Sequence, residues 1–161
     1  CQKERVFTFL DPERDPLGTA YHAIQSQIAV GSGGLLGKGF GQGSQSQLDF
    51  LPEQQTDFVF SVLGEEWGFV GSAVVLALYL GILIRGLMIA HSSKDQFGSY
   101  LAVGIVALFF WAGLINVGMV IGVVPVVGVP LPMLSYGGSA LLTCMMALGL
   151  LMNVSMRRYV F

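Results

Sequence analysis

The feature that most constrains this chain is the near absence of charge between residues 69 and 156. Only four side chains there can carry a charge, namely Arg85, His91, Lys94 and Asp95. The whole chain has 11% charged residues, whereas a soluble domain usually has about 25%. A helix needs about 20 apolar residues to cross a bilayer, and the region holds three apolar runs of roughly that length. The pattern predicts an all-α, polytopic membrane protein.

The apolar runs predict three transmembrane helices, at about residues 69–90, 100–124 and 139–156. Residues 58–68 could join the first of them in one long helix that begins outside the bilayer. The second and third spans are separated by Pro125, Pro130 and Pro132. Because proline interrupts a helix, they predict a non-helical re-entrant segment. The chain thus divides into a large loop, residues 1–57, and a three-helix transmembrane portion, residues 58–161.

The basic residues in short loops predict the orientation of the spans. Such residues favour the cytoplasmic side of a membrane. Arg85 and Lys94 lie on one side, and three crossings place Arg157 and Arg158 on that same side. We therefore expect a cytoplasmic C-terminus and an extracytoplasmic loop 1–57.

The remaining composition argues against several classes of protein. A net charge of −2 offers no basic surface for nucleic acid. The two cysteines, Cys1 and Cys144, and the two histidines, His22 and His91, lie far apart in the sequence. They indicate neither a disulfide framework nor a metal site nor a Cys/His catalytic pair. The chain begins Cys-Gln-Lys-Glu, without an initiator methionine, and this start predicts a C-terminal fragment of a longer protein.

The loop 1–57 contains one predicted helix and one glycine-rich stretch. Residues 19–30 predict a short amphipathic helix with Ile24 and Ile28 on one face, opposite Gln25 and Ser26. It could lie in the membrane interface or pack on its own domain. Residues 31–43 include seven glycines, but they match no nucleotide-binding motif. Their amides and Lys38 could contact a diphosphate, or the stretch could be a flexible loop.

Asp57 marks the change from the polar loop to the apolar region. Of the ten acidic residues, nine lie at or before Glu66, so Asp57 stands close to a predicted membrane boundary. Two interpretations remain open. The first is a helix N-cap, supplied by Thr56 or Asp57 to a helix starting near Phe58. The second is chemistry on a polar substrate that is carried by a lipid.

Several stretches together resemble the SEDS family (shape, elongation, division and sporulation). They are residues 9–18 (with Asp11-Pro12-Glu13-Arg14-Asp15-Pro16), 21–34, 37–39, 50–58 (with Thr56-Asp57-Phe58) and 132–139 (Pro132-Met133-Leu134-Ser135-Tyr136-Gly137-Gly138-Ser139). Residues 12–16 and 45–48 are more similar to the elongation branch than to the division branch. One departure is Gln55, where the family commonly has histidine.

The resemblance implies a ten-helix protein of the bacterial inner membrane, of which this chain holds the last three helices and the preceding outer loop. It also implies a peptidoglycan glycosyltransferase that polymerises lipid II during cell elongation. The implied partner is a class B penicillin-binding protein, which supplies transpeptidation.

The resemblance also implies roles for particular residues. The family's essential aspartate corresponds to Asp57, and an acidic position before Leu-Pro-Glu corresponds to Asp49. A carboxylate can act as general base towards a sugar hydroxyl, so Asp57 is the predicted catalytic residue. It could alternatively hold a divalent cation, Mg²⁺ or Mn²⁺. The predicted diphosphate contacts are Lys38 and, less favoured, Arg5 and Arg14. The other predicted substrate contacts are Ser135, Gly137, Gly138 and Ser139, together with Asp49 and Glu53, which could instead make secondary contacts or structure the loop.

Two other functions remain open from the sequence. One is a flippase that moves lipid II across the bilayer, which would require charged residues within the spans. The other is a non-catalytic membrane scaffold that positions a penicillin-binding protein.

Overall fold

The computed structural model describes residues 19–39 and 57–157. This part of the chain forms four helices and no strand. They are α1 (Thr19–Ser32), α2 (Val59–Ser92), α3 (Gln96–Val120) and α4 (Gly138–Arg157). The helix α2 packs against α3, α4 packs mainly on α3, and α1 lies across α2. The predicted all-α architecture is confirmed.

Three of these helices, α2, α3 and α4, are long and apolar enough to cross a membrane. The longest, α2, spans 34 residues but is interrupted at Gly68, whose φ of +66° and ψ of −163° are not helical. The part after the break, residues 69–92, corresponds to about 36 Å at 1.5 Å per residue, which exceeds the roughly 30 Å of a bilayer's hydrocarbon core. Residues 59–68 thus precede the first apolar run as a helical segment separated from it by the break at Gly68.

The helix α3 ends at Val120, four residues before the predicted end at 124. The reason is a glycine rather than the first proline. Gly122 has a φ of +77°, and its N–H donates to the Met119 carbonyl at 3.1 Å. The Val123 N–H donates to the Gly118 carbonyl at 2.9 Å. This pair of bonds is the Schellman motif that closes many helices.

The helix α1 packs through the face that carries Ser26 and Ala29. Ile24 and Ile28 are 48% and 47% exposed, whereas Ser26 and Ala29 are buried. The Ser26 hydroxyl donates to the Val120 carbonyl at 3.2 Å. The isoleucines thus lie on one face opposite Ser26, as predicted, and the small residues on the Ser26 side let α1 approach the bundle closely. The helix α1 packs on α2, and contact of its isoleucine face with the membrane interface stays a prediction.

Two groups of buried apolar side chains hold the helices together. The larger lies between α2, α3 and α4 and includes Leu83, Phe109 and Leu151. The smaller comprises Phe58, Phe60, Val120 and Leu131. It gathers the start of α2, the end of α3 and the proline-containing segment at one end of the bundle, which we call the Asp57 end.

Candidate functional site

The Asp57 end includes two segments outside regular helix: Asp57, which lies just before α2, and residues 121–137, which connect α3 to α4. The glycine-containing turn 33–39, which follows α1, contacts α2 further along, at residues 64–70. The N-cap position of α2 is occupied by Phe58, with no side-chain capping bond. Asp57 is therefore not the N-cap residue, and that predicted interpretation of this residue is wrong. Thr56 lies outside the described residues.

The carboxylate of Asp57 lies against the segment that follows α3. Asp57 is half-buried and Gly128 is exposed. A Cβ placed on Gly128 would lie 3.0 Å from Asp57 Oδ2. The absence of a side chain at Gly128 thus gives the carboxylate its room at the surface of the bundle.

A single buried amide joins Asp57 to that segment. The side chain of Asn116, on α3, is fully buried. Its Nδ2 donates to the Asp57 carbonyl at 2.9 Å and to the Val129 carbonyl at 2.7 Å. The sequence suggests an interhelical hydrogen bond for an asparagine in an apolar span. In the structure, both hydrogen bonds of the amide instead go to backbone carbonyls outside the helices. One belongs to Asp57, just before α2, and the other to Val129, in the segment after α3.

The predicted substrate contacts in residues 135–139 lie at the Asp57 end, at the start of α4. The Ser135 hydroxyl accepts a hydrogen bond from the Leu131 N–H at 2.7 Å, and the Ser135 N–H donates to the Leu131 carbonyl at 3.0 Å. Ser135 thus closes the turn before α4. Gly137 accepts from the Leu141 N–H at 2.9 Å, and Gly138 and Ser139 are exposed. Substrate binding by these residues stays a prediction.

Lys38 forms an ion pair with an acidic residue of α2. Its Nζ lies 2.9 Å from Glu65 Oε1, with 32% of the Lys38 side chain exposed and 1% of the Glu65 side chain. Glu65 has no role predicted from the sequence. Contact between Lys38 and a diphosphate stays a prediction, and it would compete with this ion pair.

The glycine-containing turn docks on a break in α2. Within α2, Gly68 has a φ of +66° and a ψ of −163°, outside the helical region. The Lys38 and Gly39 N–H groups donate to the Glu65 and Glu66 carbonyls at 3.0 and 3.1 Å. In return, the Gly34 and Leu35 carbonyls accept from the Phe69 and Val70 N–H groups. The break would otherwise leave backbone groups of α2 without partners, so these glycines have a structural explanation here.

The other predicted site residues lie outside the described part of the chain. They are Arg5, Arg14, Asp49 and Glu53. Among residues 19–39 and 57–157, no three His, Cys, Asp or Glu side chains are grouped as a metal site. Mg²⁺ is commonly held by one or two carboxylates together with substrate phosphates, so a divalent cation at Asp57 stays a prediction.

Comparison with known proteins decides the family. A family model described as cell cycle protein, FtsW/RodA/SpoVE, matches residues 1–160. The chain belongs to the FtsW/RodA/SpoVE family. The predicted membership in this family is therefore confirmed, and the chain is a multi-pass membrane protein.

The curated relatives within the FtsW/RodA/SpoVE family include proteins named peptidoglycan glycosyltransferase and a protein named for sporulation. The chain is 54% identical over 157 residues to the peptidoglycan glycosyltransferase MrdB of Escherichia coli, covering 98% of this chain and 42% of the relative. It is 48% identical to the peptidoglycan glycosyltransferase RodA of Treponema pallidum, covering 98% and 36%. It is also 48% identical to the stage V sporulation protein E of Bacillus subtilis, covering 94% and 41%. The chain thus spans less than half the length of these relatives.

Solved structures of the family share the fold. A chain of a peptidoglycan synthase complex that coordinates polymerization and crosslinking has a TM-score of 0.76 and 35% identity, covering 98% of this chain and 42% of that one. The rod shape determining protein RodA of Thermus thermophilus, as an aspartate-to-alanine mutant, has a TM-score of 0.63 and 38% identity, covering 66% and 36%.

Proposed function

We propose that this chain forms part of a peptidoglycan glycosyltransferase that polymerises lipid II during cell elongation, with Asp57 as general base. The observation that carries the proposal is the Asp57 carboxylate, half-buried at the end of the bundle and facing a position without a side chain at Gly128. The relatives named peptidoglycan glycosyltransferase support the reaction class.

The proposed reaction joins two sugars and releases a lipid diphosphate. A hydroxyl oxygen of the acceptor sugar attacks the anomeric carbon of the donor and forms the new glycosidic bond. The bond between that carbon and the diphosphate oxygen breaks, and the diphosphate leaves with the electron pair. The hydroxyl proton passes to the Asp57 carboxylate, which lowers the barrier for attack.

The position of Asp57 suits a donor that is anchored in a membrane. Asp57 lies two residues before the first residue of α2, Val59, and α2 is long enough to span the bilayer. A diphosphate linked to a lipid stays close to the membrane surface, where such a helix begins. We place this end on the extracytoplasmic side, because the basic residues Arg85, Lys94 and Arg157 belong to the opposite end.

The departing diphosphate needs positive charge. Lys38 is one proposed source, although it would have to exchange Glu65 for the diphosphate; Arg5 and Arg14 are the others. Mg²⁺ or Mn²⁺ remains a proposed cofactor, and no step above depends on it. Titration with a chelator tests this part of the proposal. If the cation is needed, polymerisation stops on chelation and returns with added Mg²⁺ or Mn²⁺; a constant rate removes the cation from the proposal.

The proposed partner is a class B penicillin-binding protein in the bacterial inner membrane. The structural similarity to a chain of a peptidoglycan synthase complex supports an assembly of this kind.

The experiment that tests the proposed function uses the full-length protein with its partner in detergent. Labelled lipid II is supplied, and a β-lactam blocks crosslinking so that only polymerisation is followed. We expect glycan strands from the complex and none from the partner alone. A flippase would give no polymer in detergent, and its activity would appear only as movement of lipid II across the membrane of a vesicle. A scaffold would leave the partner to polymerise alone, so either result contradicts the proposal.

A further inference from the structure

We infer that Asn116 is a positioning residue for Asp57: its buried amide holds the base and the segment beside it in one fixed arrangement. The inference rests on the proposed function, since it assigns a role in the same reaction. It begins with the two hydrogen bonds of Nδ2, at 2.9 Å to the Asp57 carbonyl and 2.7 Å to the Val129 carbonyl.

The orientation of this amide is fixed by its partners. A carbonyl oxygen only accepts hydrogen bonds, so the NH₂ group, and not Oδ1, must face Asp57 and Val129. Both protons of that group are then used. Rotation of the amide by 180° would place Oδ1 against two carbonyl oxygens and is excluded by repulsion.

The two carbonyls belong to the two components of the site. One is the carbonyl of Asp57, whose carbon is three bonds from the carboxylate carbon of the same residue (C–Cα, Cα–Cβ and Cβ–Cγ). The other follows Gly128, whose missing side chain leaves Asp57 Oδ2 its space. One side chain on α3 therefore sets the distance between the carboxylate and the segment that limits its movement.

The remaining polar atom of the amide, Oδ1, shows that an asparagine at this position carries a cost in folding free energy. Its Oδ1 is buried and has no hydrogen-bond partner among the described residues. A leucine has the same number of side-chain heavy atoms, branched at the same position, and would bring no buried acceptor of its own into this apolar helix. The two N–H donors are therefore the property that the site uses.

The surroundings of Asn116 make the arrangement rigid. Its neighbours on α3, Gly118, Met119 and Val120, are buried, and the Val127 N–H lies 3.1 Å from Met119 Sδ. The segment after α3 is thus held at Val127 as well as at Val129. General base catalysis depends on the distance between base and hydroxyl, and a displacement of about 1 Å can cost about 100-fold in rate.

The test is steady-state polymerisation of lipid II by the full-length protein with its partner. The variants are Asn116→Leu and Asn116→Ser, with Asn153→Leu, an exposed asparagine on α4, as the matched control. Rates are expressed per molecule of folded complex, counted by co-purification with the partner. Asn116→Ser leaves room for water at the two carbonyls, so it keeps the fold where the leucine variant does not.

We expect both Asn116 variants to lower kcat by about 10- to 100-fold, with KM for lipid II within about threefold of the parental value, because substrate binding does not need the base. The Asn153 control keeps both parameters. A purely structural role would reduce the folded fraction and leave kcat per folded molecule unchanged, and this result overturns the inference.

The same experiment separates this inference from the proposed function. If the parental complex polymerises, Asp57→Asn does not, and the Asn116 variants turn over at the parental kcat, only the inference about Asn116 fails. If the parental complex makes no glycan, both fail together.

Discussion

Replacing Lys38 with methionine removes the ammonium group that pairs with Glu65 while keeping most of the apolar length of the side chain. Its Nζ lies 2.9 Å from Glu65 Oε1, and the Glu65 side chain is 1% exposed. Breaking a fully buried pair from one side costs about 3–5 kcal/mol, whereas a surface pair contributes about 0–1 kcal/mol. Since 32% of the Lys38 side chain is exposed, we expect a loss of about 2–3 kcal/mol.

The assay is a double-mutant cycle on the full-length protein, with Lys38→Met, Glu65→Gln and the double variant compared by thermal unfolding. The buried carboxylate causes most of the loss in Lys38→Met, so Glu65→Gln should recover a large part of the stability in the double variant. If the losses of the two single variants simply add, the ion pair does not stabilise the protein and the reasoning from burial is refuted.

The same cycle tests whether Lys38 also contacts the diphosphate. In the Glu65→Gln background, the ion pair is already weakened, so Lys38→Met should change stability little. A rise in KM for lipid II in that background would show direct contact with the substrate. An unchanged KM would restrict Lys38 to its structural role with Glu65 and remove it from the proposed substrate contacts.

Two glycine substitutions test the backbone geometry. Gly68→Ala should destabilise the protein by about 1–3 kcal/mol, because Gly68 has a φ of +66° and its Cβ would contact the Gly37 nitrogen. The measurement is thermal unfolding, with Gly81→Ala as the control because a Cβ at Gly81 meets open space. Equal melting temperatures for the two variants would contradict the prediction. Gly128→Ala should lower the polymerisation rate about tenfold or more, because Gly128 has a φ of +79° and its Cβ would lie 3.0 Å from Asp57 Oδ2. Gly149→Ala, also in open space, is its control, and equal rates would show that the carboxylate moves aside without consequence.

Much of the membrane architecture could be predicted because apolar length alone specifies it. The helix α4 (Gly138–Arg157) differs from its predicted span, 139–156, by one residue at each end. The end of α3 was less predictable, since Gly122 and Pro125 are both plausible terminators. Only the backbone bonds to Gly118 and Met119 show that the glycine ends the helix.

The candidate site could be predicted only in part. Asp57 was found because its motif resembles a known family and its position lies at the start of the apolar region. Asn116 gave a signal, as the main polar residue of an apolar span, but its partners at Asp57 and Val129 are 59 and 13 residues away in the sequence. The local sequence pattern around Asn116 does not identify partners that are this far away along the chain.

The glycine-rich stretch illustrates why composition alone is ambiguous. From the sequence, the seven glycines with Lys38 fit either a diphosphate contact or a flexible loop. In the described part, the turn packs against the break at Gly68 and pairs with the backbone of α2. This packing depends on the position of the break in α2. A single glycine in a long apolar helix does not predict where that break lies.

The measurement that tests the central claim most directly is the rate of lipid II polymerisation by Asp57→Asn, compared with Asp95→Asn in the same complex. Both substitutions replace a carboxylate by an amide of the same shape. Asp95 caps α3 at the opposite end of the bundle, where its side chain accepts from the Phe97 N–H, and asparagine caps a helix equally well. We predict that Asp57→Asn stays folded, binds the partner and loses at least about 100-fold in rate, while Asp95→Asn keeps the parental rate. Parental turnover by a folded Asp57→Asn variant would contradict the account, because the catalytic base would then lie elsewhere.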